Sequence, residues 1–340
     1  MEKIISHQIR QLPKVELHRH MDCSVRWSTL VELAPRLGMP WPQSLKEQKE
    51  QFLVTEPMKD LGSVLNKFLN TQKIYASEEI LERIAFEACE DAFNDGVIIL
   101  ELRYAPTYIQ DGHGLAFQHI HNAIVRGIEK AMKIYPMTVG LLGTVQRIKS
   151  YKEAESVLNF MLDNKDTFLG IDLADNEEGF DPKVFAPLFQ KAKAEGLRVT
   201  IHSGEIPNPL SAQWVRDSIE VLGAERIGHG IQIIQSPEVI DYVARHKIPL
   251  EVCPLSNWLT NSFSSIAAHP IRKLMEQGIV ITINSDDPGV FASTLSDDYE
   301  ILHRYHEFSL EEFKAINRVA FDASFIAESK KAKFKEAFFF

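Results

Sequence analysis

Cysteine is scarce in this chain: three among 340 residues, Cys23, Cys89 and Cys253, widely spaced and without a CxxC pair. An odd, scattered count excludes a disulfide framework and a cysteine-rich zinc site, and it points to reduced thiols. Also missing is any run of about 18 apolar residues able to span a bilayer. The opening MEKIISHQIRQLPK mixes charged and apolar residues too finely for a secretory h-region. A cytoplasmic location without a membrane partner is therefore expected. No lysine/arginine run or basic amphipathic face occurs, and the formal net charge is -10. Such a field repels phosphate backbones, so nucleic acid is not an expected partner either. There is no fixed-period repeat, Gly/Ser linker or low-complexity tract to divide the chain.

What is present is the composition of a globular protein with a substantial core, 45% hydrophobic and 25% charged. Short runs rich in Val, Ile and Leu recur, each followed by a longer amphipathic stretch. The expected strands are Val15 to His20, Gly96 to Tyr104, Met137 to Val145, Phe168 to Ala174, Leu197 to His202, Arg226 to His229, Pro249 to Cys253 and Gly278 to Asn284. Eight strands alternating with helices match a (β/α)₈ TIM barrel, an architecture that commonly exceeds ~250 residues as one domain; residues 1–340 are read as one. The clearest helix is Glu78 to Asn94, with Ile80, Ile84, Ala88 and Ala92 at near-helical spacing and Gly96 as a stop. A helical segment, Asp60 to Tyr75, is inserted after the first strand. It carries Leu61, Leu65 and Phe68 on one face, which makes it a candidate lid. Further helices follow the eighth strand, and the apolar end Phe338 to Phe340 reads as a docked tail.

The chemically capable residues gather at the C-terminal ends of the strands, the face on which such barrels build active sites. The first strand ends in His18-Arg19-His20, whose alternation directs both imidazoles to one side. The fifth closes as His202-Ser203-Gly204-Glu205, the sixth as Gly228-His229-Gly230, and the eighth as Ser285-Asp286-Asp287-Pro288. Three imidazoles and a carboxylate with an open position suit one catalytic zinc ion per chain, and His18, His20, His202 and Asp286 are the expected ligands. Zinc makes a hydroxide nucleophile available near neutral pH. His229 is placed to act on that water as a base or as electrostatic support, and Glu205 to hand a proton to the substrate.

With these motifs the chain resembles the adenosine deaminase family, from about Leu12 to about Phe325. The resemblance rests on Leu12-Pro13-Lys14-Val15-Glu16-Leu17-His18-Arg19-His20-Met21-Asp22, Glu101-Leu102-Arg103-Tyr104-Ala105-Pro106, Gly170-Ile171-Asp172-Leu173-Ala174, His202-Ser203-Gly204-Glu205, Arg226-Ile227-Gly228-His229-Gly230, Cys253-Pro254-Leu255-Ser256-Asn257 and Ser285-Asp286-Asp287-Pro288. It implies hydrolytic deamination at C6 of a purine nucleoside, adenosine or 2′-deoxyadenosine, with release of ammonia. It further implies that Glu205 protonates N1, that Asp287 bonds N7, that Asp22 meets the ribose 5′-hydroxyl and that the backbone N–H of Asp175 meets N3. Within the same motifs Asp172 and Ser256 are candidates to support the ligands. The H-x-E and P-C-x-x-C signature of the other zinc deaminases is absent.

Two positions depart from the family pattern. Cys23 stands where glycine is usual after the aspartate, and Asp175-Asn176-Glu177 replaces Gly-Asp-Glu. A side chain at Asp175 either points away or narrows the purine pocket. Deaminases of adenine, of a nucleotide or of a larger adenine derivative such as aminodeoxyfutalosine are the alternatives, followed by a catalytically inactive binding protein. A two-metal hydrolase would need a bridging Lys or Glu at the end of the fourth strand, which instead reads Leu173-Ala174-Asp175. Oligomeric state is not readable from the sequence.

Overall fold

In a computed structural model residues 2–339 are described. All eight expected strands are present: β1 Lys14–His20, β2 Val97–Tyr104, β3 Thr138–Gln146, β4 Phe168–Ala174, β5 Arg198–Ser203, β6 Arg226–His229, β7 Leu250–Val252 and β8 Ile281–Ile283. The largest disagreement is at β8, expected from Gly278. Gly278 instead sits at φ +81°, closing the preceding helix by donating its N–H to Met275, so extended backbone begins only afterwards.

Each strand pairs in parallel with the next, in the order β1 to β8. The ring closes between β8 and β1 at their C-terminal ends, where His20 N–H donates to Asp286 O (2.9 Å) and Asp286 N–H to His18 O (3.1 Å). Lower on this seam side chains replace the backbone ladder. Asn284 Oδ1 accepts Leu17 N–H at 2.8 Å, and Asn317 Oδ1 accepts Val15 N–H at 2.9 Å. Buried N–H groups must find acceptors, and a seam too splayed for a ladder finds them in amides.

The helix Glu78–Asn94 has the expected bounds and starts at a Ser77 cap. Between β1 and that helix come three inserted helices, Trp27–Arg36, Leu45–Phe52 and Leu61–Gln72. The last begins at Asp60, whose carboxylate accepts Ser63 N–H. After β8 the helix Leu310–Ala323 packs on β1 and β8. The chain then turns under the barrel, where Phe325 lies 4.6 Å from the guanidinium of Arg198 and 3.6 Å from that of Arg226, at the first residues of β5 and β6. Phe338 is buried against Phe321 and Phe339 also contacts it, so the tail docks as expected; Phe340 lies outside the described residues. Among the described residues no helix is long and apolar enough to cross a membrane.

The barrel interior is not the apolar filling that the strand sequences suggest. Arg103, Arg226, Glu101, Glu251 and Asp172 are all buried within it, and all are paired.

Candidate active site

β1, β5 and the turn after β8 bring His18, His20, His202 and Asp286 together, each offering one donor atom within 4.8 Å of the others. His20 Nε2 lies 3.1 Å from His202 Nε2. Asp286 Oδ1 lies 3.1 Å from His18 Nε2 and 3.4 Å from His20 Nε2. Donors bound at about 2.0–2.1 Å to one tetrahedral centre stand roughly 3.4 Å apart, so these separations are those of a ligand set.

The protonation pattern agrees. His18 Nδ1 faces Glu251 Oε2 at 2.9 Å, and His202 Nδ1 faces Asp172 Oδ2 at 2.9 Å. Burial alone would raise both carboxyls, but Arg103 and the neighbouring imidazoles hold them below the usual range. An ionised carboxylate only accepts, so each ring carries its proton on Nδ1 and turns an Nε2 lone pair into the cluster. His18 Nε2 is buried there with no hydrogen-bond partner. The four residues therefore fit a divalent metal.

Behind them Arg103 bridges Asp172 (2.9 Å) and Glu251 (2.8 Å), while Arg226 holds the other Glu251 oxygen at 2.6 Å. Asp172 was anticipated in such a supporting place; Glu251 and Arg103 were not. Their signal was charge recurring inside buried parallel strands, as at Glu101 and Arg103 of β2. Ser256 Oγ donates to Asp286 Oδ2 at 2.7 Å, as anticipated.

Glu205 and His229 stand beside these four candidate ligands. Glu205 is fixed at its backbone, where Glu177 accepts the N–H groups of Gly204 and Glu205, each at 3.2 Å. Burial pushes the Glu205 carboxyl well above its ordinary range, and the charges of Asp286 and Glu177 add to this. These influences favour the protonated carboxyl over the carboxylate. His229 Nε2 is 3.6 Å from Glu205 Oε2 and 3.8 Å from Asp286 Oδ2.

The glycine before His229 has a steric use. A Cβ on Gly228 would come 3.0 Å from the His18 ring and 3.2 Å from His202 Cα, so glycine lets β6 approach both imidazoles. The strain falls instead on side-chain-bearing residues. Asp175, His229 and Asp286 adopt φ of +84°, +60° and +63°. Left-handed backbone at non-glycine residues costs about 1–3 kcal/mol each and persists where the surroundings impose it.

Above this cluster is a cleft open to solvent. The expected substrate contacts Asp22, Asp175 and Asp287 all line it, as do Leu61, Leu65 and Phe68 of the inserted helix. Asp22 Oδ2 accepts Ala105 N–H at 2.9 Å, leaving Oδ1 buried and unpartnered; burial raises this carboxyl to about 7. Asp287 Oδ1 is likewise buried and unpartnered, and burial plus the adjacent Asp286 push its carboxyl well up. The Asp175 carboxylate is taken by Gln146 Nε2 (2.9 Å) and by Asn176 N–H (2.7 Å). Its positive φ accounts for glycine being usual at this position. Cys23 lies in a short 3₁₀ turn without positive φ, so a side chain there meets no such strain. Among the described residues none lining the cleft is lysine or arginine.

The adenosine deaminase family model matches residues 13–338. The chain is 33% identical to an adenosine deaminase of Plasmodium knowlesi, over 97% of this chain and 91% of that one. Among solved structures it is similar to an adenine deaminase from Arthrobacter aurescens (TM-score 0.89, 27% identity, 96% of this chain and 98% of that one). It is similar to an amidohydrolase from Burkholderia ambifaria with bound Zn (TM-score 0.88, 26% identity, 98% and 91%). Arabidopsis ADAL complexed with IMP gives a TM-score of 0.85 at 30% identity, over 98% and 97%.

Proposed function

The chain belongs to the adenosine deaminase family and is a hydrolytic purine deaminase, and from that premise we propose that its substrates are adenosine and 2′-deoxyadenosine. The observation that carries this reading is Asp22, which lines a cleft whose lining holds no lysine or arginine and whose buried Oδ1 has no hydrogen-bond partner. A 5′-hydroxyl satisfies such an acceptor, whereas a 5′-phosphate brings negative charge with no cation to receive it.

Under this reading His18, His20, His202 and Asp286 hold one zinc ion, the metal bound in the Burkholderia neighbour. Zinc there supplies Lewis-acid activation of water at neutral pH. Glu205 gives its proton to N1, which makes C6 electrophilic. Asp287, whose carboxyl is pushed up by burial and by Asp286 beside it, hydrogen-bonds N7. The Leu61–Gln72 helix presents Leu61, Leu65 and Phe68 as an apolar wall that excludes bulk water.

Ammonia release from adenosine, 2′-deoxyadenosine, adenine and AMP tests the substrate. The two nucleosides are expected to be turned over best, since adenine lacks the ribose contact. Asp22→Ala is expected to lower kcat/KM for adenosine by about tenfold or more, the effect of one lost buried hydrogen bond, with folding retained. Equal efficiency with AMP and adenosine overturns the nucleoside reading.

A further inference from the structure

From His229, beside the metal cluster, a buried file of polar side chains leads outward to the start of the helix Ile271–Glu276. Ile271 N–H donates to His269 Nδ1 at 3.2 Å, His269 Nε2 lies 3.1 Å from Asn257 Oδ1, and Asn257 Nδ2 lies 3.1 Å from His229 Nδ1. His269, Asn257 and His229 are each no more than 5% exposed.

A backbone amide is always a donor, and this sets the polarity of the whole file. His269 Nδ1 must accept. Burial, with His306 nearby, pushes the His269 imidazole down to about 3, so the ring is neutral and its single proton is on Nε2. Asn257 must then accept with Oδ1, which turns its amide nitrogen toward His229. His229 Nδ1 accepts from that nitrogen, and the remaining proton of a neutral His229 ring lies on Nε2, the atom facing Glu205 and Asp286.

We propose that Asn257 and His269 are positioning residues that hold His229 as its Nε2–H tautomer, making it a hydrogen-bond donor to the reacting water rather than the base that deprotonates it. A ring whose Nε2 bears the proton and whose Nδ1 lone pair is engaged by Asn257 has no free site to take another. The inference rests on the deaminase reading for its catalytic meaning, but the tautomer itself does not depend on which purine is the substrate.

Histidine-selective ¹⁵N labelling of the metal-loaded protein, with His229 assigned by comparison with a His229→Asn spectrum, reads the tautomer directly. The expected pattern is a protonated Nε2 and an unprotonated Nδ1; a protonated Nδ1 in the unmodified protein overturns the proposal. Asn257→Asp keeps the shape but replaces the donor with an acceptor. It is expected to move the proton to Nδ1 and to lower kcat by about 10²–10⁴-fold with KM and metal content unchanged. His269→Gln, whose amide N–H reaches the place of Nε2, is expected to preserve tautomer and turnover, while His269→Phe loses both. Unchanged His229 signals in Asn257→Asp also overturn the proposal, and if that variant does not fold the unmodified spectrum still decides. Should adenosine prove not to be turned over, the substrate reading fails while the ¹⁵N pattern continues to test the tautomer.

Discussion

The two ends of the barrel both bury charge, but they treat it in opposite ways. At the N-terminal end Arg226 is satisfied by Glu101, Glu251 and the Ala323 carbonyl, with Phe325 laid over its guanidinium. At the C-terminal mouth His18 Nε2, Asp22 Oδ1 and Asp287 Oδ1 are buried without hydrogen-bond partners, and His229 and Asp286 sit in left-handed backbone. Buried polar groups left open are costly, so a fold retains them where a ligand completes them. The closed end is a scaffold and the open end a site. Glu251 joins the two, holding Arg226 with one oxygen and His18 Nδ1 with the other, and Arg103 ties it to Asp172 behind His202.

The sharpest way to break this contrast is at the mouth. His202→Ala removes one of the four proposed ligands and is expected to abolish metal retention and turnover, a larger loss than the ~10–100-fold typical of a supporting residue, while the fold survives. Metal content by mass spectrometry of the purified variant checks it; full occupancy would show that His202 is not a ligand. Next comes Glu205→Gln, which keeps shape and a donor but holds no transferable proton. Turnover is expected to fall at least ~10²-fold with metal content unchanged. Loss of metal in that variant would make Glu205 a ligand instead.

Glu251→Gln tests the joint between the ends. The charge that offsets two buried arginines is gone, so both effects should appear together: metal affinity weakened ~10–100-fold and stability reduced by about 3–5 kcal/mol. A variant that lost only one of the two would separate scaffold from site at this residue.

The smallest effect belongs to the closed end alone. Lys14 Nζ is buried under the carbonyls of Leu12 (3.2 Å) and Asp95 (2.7 Å), and burial lowers the ammonium to about 8. Its folded value lies below its unfolded one, so between the two the unfolded chain binds the extra proton. The stability it contributes is complete above the unfolded value and is lost as pH falls toward about 8. Lys14→Met is expected to flatten the rise of Tm over that alkaline window and to leave kcat/KM unchanged. A changed kcat/KM would connect this end of the barrel to the chemistry.

Much of this molecule was legible in one dimension. The eight apolar runs specified the strands because a parallel sheet covered by helices buries both faces, and Glu78–Asn94 was bounded by its own cap and stop. The HxH of β1 and the polar strand ends brought the ligands, Glu205 and His229 into view, since alternation along a strand and the common exit face of a barrel are local rules. Only the tertiary structure decided the rest. Glu251 stands 233 positions from His18, and Asn257 28 from His229. No spacing rule spans such distances, so the proton positions on the site's imidazoles follow from contacts that exist only once the barrel closes. The same closure places Asp175, His229 and Asp286 in left-handed backbone that their residue types disfavour, because strain at three positions is outweighed by the packing of eight strands around them.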